Sequence, residues 1–246
     1  MKNKKAAITV KNLDIYYKDI KRFSMAKSGV KNISNATTFH AVKDVSFEIP
    51  KGQIVGICGK NGSGKSTLLR AIAGIFSADN GSIDLHGNSI SLLSIGVGFQ
   101  RKLSGYENIF LSGLLLGYTE QQIKEKIDEI IKFSELGDFI YKPVMSYSSG
   151  MYSKLAFSIT AVLETNIMLI DEVLSVGDIH FKQKSYNKMK ELISDENRTV
   201  LIVSHSSKTL KSLCDRVLWI NEGVLMGDGP AEEIVDKYEE FMKTLD

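Results

Sequence analysis

Residues 59–67 read GKNGSGKST, and the types and spacing in that run suit the holding of phosphate. Gly59, Gly62 and Gly64 let the backbone curl so that its N–H groups face inward. Asn61 and Ser63 fill the loop between them. Lys65 adds a mobile cation, Ser66 adds a hydroxyl able to ligate Mg²⁺, and Thr67 lies on the helix STLLRAIAGI that follows. The preceding run, QIVGIC at 53–58, is short and apolar and reads as a buried strand. The pattern G-x-x-x-x-G-K-S/T between a strand and a helix predicts a cradle for the β- and γ-phosphates of a nucleoside triphosphate.

Two further strands end in groups that complement such a cradle. NIMLIDE at 166–172 is an apolar run closed by two carboxylates, at the end where ligands bind in open α/β sheets. Asp171 is expected to fix Mg²⁺, directly or through water. Glu172 is expected to accept a proton from an attacking water. RTVLIVSHS carries His205 at its tip, and this strand is expected beside that of Asp171, bringing His205 to the γ-phosphate. A second anion-binding arrangement stands at YSSGM, 147–151. There Ser148, Ser149 and Gly150 open a helix whose free N–H groups and dipole point outward. One chain thus carries two devices for one kind of ligand.

Short apolar strands alternating with helical stretches must position these groups, which predicts an α/β fold. AITVKNLDIYY (7–17) and AVKDVSFEI (41–49) alternate with period two, and a polar, basic connection joins them. SIDLHG and SISLLSIGVGF are expected as strands at the edge of a small antiparallel sheet. From 106 to 140 the pattern turns helical. Thr119 with Gln122 forms a capping box, and Ile123, Ile127, Ile130 and Ile131 recur at helical spacing. RVLWI and VLMGDG flank Asn221-Glu222-Gly223, a hairpin signal. Pro230 opens a last helix with Ile234, Tyr238 and Phe241 on one face.

Composition narrows the function classes. Hydrophobic residues make up 43% and charged residues 24% of 246, and the net charge is +2. That charge is too small to make nucleic acid the main partner. Two cysteines, Cys58 in an apolar run and Cys214 in a predicted helix, do not form a disulfide scaffold. No run reaches the roughly 18–20 apolar residues of a spanning helix, and the basic N-terminus lacks the features of a signal peptide. Association with a membrane is therefore expected through a partner.

The order of motifs is phosphate loop, glutamine after a strand (Gln100), helical insert, serine-rich helix start, Asp-Glu strand and strand-His. It resembles the nucleotide-binding subunit of an ABC transporter over almost the whole chain. The resemblance implies a P-loop NTPase core of the RecA-like kind, with an antiparallel β-subdomain and a helical subdomain at about 101–147. All belong to one domain, 1–246, that closes with a helix at about 230–246. It implies ATP and Mg²⁺ as ligands, with Ser66, Gln100 and Asp171 at the metal and Gln100 reporting nucleotide state to the insert. YSSGM stands where the family usually has Leu-Ser-Gly-Gly-Gln, so Ser148, Ser149 and Gly150 are implied to bind the ATP held by another chain. The assembly implied is a homodimer sandwiching ATP, joined to two membrane permease subunits at the cytoplasmic face of the cell membrane. Asp178, in SVGD where Ser-Ala-Leu-Asp is usual, is implied to shape the surface facing the partner's nucleotide. The family stacks an aromatic ring on adenine after its first strand; Tyr17 is the implied ring, with Phe39 at the far end of the insert as its competitor.

Departures from the family pattern point to a branch. Ser149 and Met151 replace the common Gly and Gln, and Val173 replaces a frequent proline. YSSGM together with DEVLSVGD is similar to the exporters of polysaccharides: O-antigens, capsules and wall teichoic acids. FSELGDFIYKPVMSYSSGM and the long insert after the first strand are most similar to the teichoic-acid exporters of Gram-positive bacteria. The chain ends before a carbohydrate-binding extension of the O-antigen kind, which points the same way. The same features speak against a soluble ATPase of iron–sulfur cluster assembly. The basic insert, with Lys18, Lys21, Arg22, Lys27 and Lys31, reads either as a solvated loop or as a face for anionic lipid heads.

Overall fold

Period-two alternation builds the first sheet. β1 (Ala6–Lys18) and β2 (Thr38–Pro50) pair antiparallel. They bury Ile8, Val10, Leu13 and Ile15 from one strand and Val42, Val45, Phe47 and Ile49 from the other. β3 (Ile54–Cys58) is apolar on both faces and leaves that sheet to run into α1 (Lys65–Ile72). β4 (Asn80–Asp84) then returns to the free edge of β1, giving the order β2-β1-β4. The computed structural model describes residues 5–18, 38–93, 96, 98–171 and 178–244. Of the basic insert, Lys21, Arg22, Lys27 and Lys31 lie outside the described residues.

β5 (Ile90–Leu93) corrects an expectation. It does not edge the antiparallel sheet but runs parallel to β6 (Ile167–Asp171), Ile90 opposite Ile167 and Leu93 opposite Ile170. The reason is burial. Ser91, Leu92 and Leu93 are all buried, so both faces of this strand need cover, whereas β4 is largely exposed. A parallel sheet covered by helices supplies that cover. The main sheet continues through β7 (Thr199–Val203), β8 (Arg216–Asn221) and β9 (Val224–Pro230), in the order β5-β6-β7-β3-β8-β9. β8 and β9 form the expected hairpin. Glu222 at φ 49° and Gly223 at φ 84° supply the two left-handed residues of its turn.

The helical insert comprises α2 (Gly105–Leu115), α3 (Glu120–Ser134) and two short 3₁₀ turns, Gly137–Tyr141 and Val144–Ser146. Thr119 caps α3 with Gln122 as the spacing predicts, and Ile123, Ile127 and Ile130 are buried. α4 (Ser149–Val162) is buried around its whole circumference from Leu155 onward. Leu155, Ile159 and Val162 pack into the core of the insert, while Phe157 and Ala161 pack into a core against the main sheet. A helix buried on all sides cannot shift without disturbing two cores, so its N-terminus is held firmly. α5 (Ile179–Ile193), α6 (Ser207–Leu213) and α7 (Ala231–Lys243) cover the same face of the sheet. On α7, Ile234 is buried and Tyr238 and Phe241 pack against Trp219. A third core lies between the antiparallel sheet, α1 and the opposite face of the main sheet, around Ile8, Ile57 and Leu69. Among the described residues no helix is long and apolar enough to cross a membrane.

Candidate functional site

The phosphate loop joins β3 to α1 and is packed against backbone on both sides. Gly59 has φ 146°, and a Cβ there would stand 2.0 Å from the Ile220 carbonyl oxygen. Gly64, in the left-handed region at φ 104°, precedes the first turn of α1, where a Cβ would stand 2.3 Å from the Ala41 carbonyl oxygen. Only glycine fits either place. No side chain caps α1 and no acidic residue stands in its first turn, so its N–H groups and dipole face the loop without competition. Lys65, at the first position of α1, folds back to donate to the carbonyls of Gly59 at 2.8 Å and Lys60 at 2.6 Å.

Strand order brings the complementary groups here. β6 and β7 are neighbours, with Asp171 opposite Val203, and β3 lies on the other side of β7. Ser66 Oγ therefore donates to Asp171 Oδ1 at 3.2 Å. His205, two residues beyond β7, lines one cleft of about 330 Å³ with Asn61, Ser63, Lys65, Ser66 and Thr67. A hydroxyl facing a carboxylate at a phosphate-binding loop is the hard-oxygen donor set that suits Mg²⁺, so these residues fit the ion. Glu172 lies outside the described residues.

Tyr17 and Phe39 both line this cleft, because they are directly opposite each other across β1 and β2. Tyr17 is the more constrained. Its hydroxyl lies 3.0 Å from Thr67 Oγ1 and its ring meets the edge of Phe76. Phe39 is 59% exposed against 42% for Tyr17.

The serine-rich helix start is a separate place. Ser148 is the N-cap of α4, and its Oγ accepts from the Met151 N–H at 3.2 Å. That bond uses the acceptor side of the hydroxyl and leaves its O–H able to donate. The N–H groups of Ser149 and Gly150 have no partner inside the helix, and the first turn holds no acidic side chain. Ser148, Gly150, Met151 and Lys154 line a second cleft of about 350 Å³ together with Asp178. Among the described residues none lines both clefts. The structure thus brings the phosphate loop, Asp171 and His205 together, and separately Ser148, Gly150 and Asp178.

Asp178 caps α5, its Oδ1 accepting from the Phe181 N–H at 3.0 Å. The ammonium of Lys154 at 2.7 Å, with that amide, holds its carboxyl down at about 2. Gln100 is exposed and lines neither cleft. Its backbone is held by Asn108, fully buried on α2, which accepts from the Gln100 N–H and donates to the carbonyls of Gln100 and Leu103. Sequence reasoning passed over Asn108, Lys154 and Glu135. A polar residue inside the apolar run of α2 was the available signal for Asn108. Lys154, four residues past Gly150 on the same helical face, was the signal at the second cleft.

A family model described as ABC transporter matches residues 42–175. The chain is 47% identical over 212 residues to the teichoic acids export ATP-binding protein TagH of Lactococcus lactis, covering 86% of this chain and 45% of that protein. It is 42% identical over 213 residues to the protein of the same name from Staphylococcus haemolyticus, covering 87% and 79%. It is 43% identical over 202 residues to the O-antigen export system ATP-binding protein RfbB of Klebsiella pneumoniae, covering 82% of each. The chain spans less than half the length of the Lactococcus protein. A teichoic-acid relative can therefore be the longer one, and the end of the chain does not separate the two export classes. Its backbone superimposes on the dimeric post-hydrolysis ATP-binding cassette MJ0796, bound to ADP and Pi, with a TM-score of 0.69. That match covers 91% of this chain and 98% of the other at 19% identity, and it carries the fold.

Proposed function

This chain belongs to the ABC transporter family, and from that premise we propose that it is the ATP-hydrolysing subunit of an exporter that moves a lipid-linked polysaccharide, wall teichoic acid, across the cytoplasmic membrane. One observation carries the mechanism. Among the described residues the phosphate cleft and the Ser148 cleft share no lining residue, so each chain holds two unlike halves of a site. Two copies meeting head to tail complete both sites at once, with each ATP between the phosphate loop of one copy and Ser148, Ser149 and Gly150 of the other.

In that arrangement the loop amides and Lys65 bind the β- and γ-phosphates, and the Ser148 O–H and the α4 amides donate to the γ-phosphate from the opposite chain. Ser66 and Asp171 would hold Mg²⁺, which when bound neutralises charge on the phosphates. Gln100 is assigned to the same metal or its water. Glu172 accepts the proton of the attacking water, and His205 contacts the γ-phosphate. Tyr17 stacks on adenine, held ready by Thr67 and Phe76. Loss of phosphate removes the charge that both halves grip, and the pair reopens. The segment at Gln100, tied to α2 by Asn108, passes that movement to the insert and to two permease subunits. On this reading the protein works at the cytoplasmic face of the membrane, attached through the permease.

Ser148→Arg tests the shared site. The variant should lose ATP hydrolysis while a single chain keeps its nucleotide affinity, measured with a fluorescent ATP analogue. Full-rate hydrolysis by Ser148→Arg, or by isolated monomers, ends this reading. The Klebsiella relative, 82% covered, supports O-antigen export as the second reading. Depletion in the native host separates the two: a trapped lipid-linked glycan rich in phosphodiesters marks teichoic acid, and a phosphate-poor one marks O-antigen.

A further inference from the structure

Lys154 lies just inside α4, and its side chain is only 14% exposed. Its Nζ meets three groups at the ends of two other helices. It donates to Asp178 Oδ2 at 2.7 Å, stands 3.6 Å from Glu135 Oε2 and lies 5.0 Å from the centre of the Phe181 ring. Glu135 closes α3 in the left-handed conformation, at φ 57°. Its other oxygen takes Lys184 of α5 at 2.7 Å, with His180 Nδ1 at 3.8 Å. Two lysines, one histidine and two carboxylates thus join the end of α3, the start of α4 and the start of α5.

Stability does not account for the Asp178 arm of this cluster. Asp178 is 60% exposed at its side chain, and exposed ion pairs contribute little. Position accounts for it better. Glu135, Lys154 and Asp178 form a wall of the cleft that holds Ser148 and Gly150. An aspartate at a helix start has several side-chain orientations open to it, yet here both oxygens are occupied, one by the Phe181 amide and one by Lys154. Lys154 belongs to a helix whose following turns are anchored in two cores, so the carboxylate is fixed relative to Ser148.

We propose that Lys154 is a positioning residue that sets Asp178 and the Ser148 helix start into one prearranged face for the nucleotide of the opposite chain, with Glu135 tying that face to the helical insert. The inference rests on the shared-site reading. Two chains can close only when Ser148 and Asp178 arrive together, and ordering them beforehand removes an entropic cost from closure.

The test is ATPase specific activity against protein concentration, with single-chain nucleotide affinity measured alongside. Lys154→Met should raise the half-maximal protein concentration about tenfold, the scale of coupling between residues in contact. Affinity of one chain for the ATP analogue should stay as in the wild type, because Lys154 lines the second cleft and not the phosphate cleft. Lys154→Arg should restore most of the loss. Asp178→Asn should shift the same quantity, and the double variant Lys154→Met/Asp178→Asn should be no worse than Lys154→Met alone. Asp178→Asn also reports on the link if Lys154→Met does not fold. A concentration-dependent wild type with an indistinguishable Lys154→Met, or with losses that multiply in the double variant, overturns the link alone. A wild type indifferent to concentration overturns the shared site and this inference with it.

Discussion

Ser66 and Asp171 stand 105 residues apart in the chain, yet Ser66 Oγ donates to Asp171 Oδ1 across 3.2 Å. The start of α1 and the end of β6 thus present a hydroxyl and a carboxylate to one point beside the phosphate loop. Asp171→Asn keeps a hydrogen-bond partner for Ser66 but removes the negative charge. Turnover should fall by about 10²-fold or more, since charge at the transferring phosphate is the main catalytic term. The Mg²⁺ concentration for half-maximal activity should rise, and a Mg²⁺ titration of ATPase rate checks this. An unchanged Mg²⁺ dependence would remove Asp171 from the metal site.

Glu172→Gln keeps shape and removes the base. Turnover should drop by about 10²–10⁴, the usual worth of general-base help, while ATP still binds. Closed dimers should then accumulate on gel filtration with ATP and Mg²⁺. A monomeric elution profile under those conditions speaks against a role for Glu172 after closure.

Tyr17→Ala should weaken nucleotide binding more than Phe39→Ala. Base stacking on an aromatic ring is worth about 1–3 kcal/mol, and Tyr17 is the ring already held, by Thr67 and Phe76. Tyr17→Phe should lose far less, because the ring remains. Titration with ATP and with inorganic triphosphate separates the adenine contribution. A larger effect of Phe39→Ala would exchange the two assignments.

Cys58 and Cys214 are both buried, and burial pushes each thiol up to about 12. The reactive thiolate is therefore scarce in the folded protein well above neutral pH. At about pH 8, near the unperturbed thiol value, the native chain should react with a thiol-specific reagent only as fast as it opens, and both thiols should react at once in denaturant. Rapid native labelling of either one would contradict its burial.

The consecutive motifs were legible because their chemistry is local. Residues 59–67 need their own order to curl around phosphate, and Thr119 with Gln122 needs only one helical turn. The hairpin at 221–223 was legible for the same reason. β5 was not. ISLL reads as a strand from its own residues, but its partner is decided by which sheet can cover both its faces, and Ile167–Ile170 lie 77 residues further on. Asn108 and Lys154 stand out by position, but only their neighbours in space give either a role.

From residue order alone came the ingredients: a phosphate loop, a helix start able to grip an anion, and strands ending in Asp171 and His205. Their adjacency was a tertiary matter. Hydrogen bonding between strands far apart in the chain set β6 beside β7 and so brought His205 to the cleft of Lys65 and Ser66, and Asp171 to Ser66. The packing of α4 into two cores sent Ser148 to another. That separation follows from where buried apolar surfaces find cover, a property of the whole chain rather than of any segment.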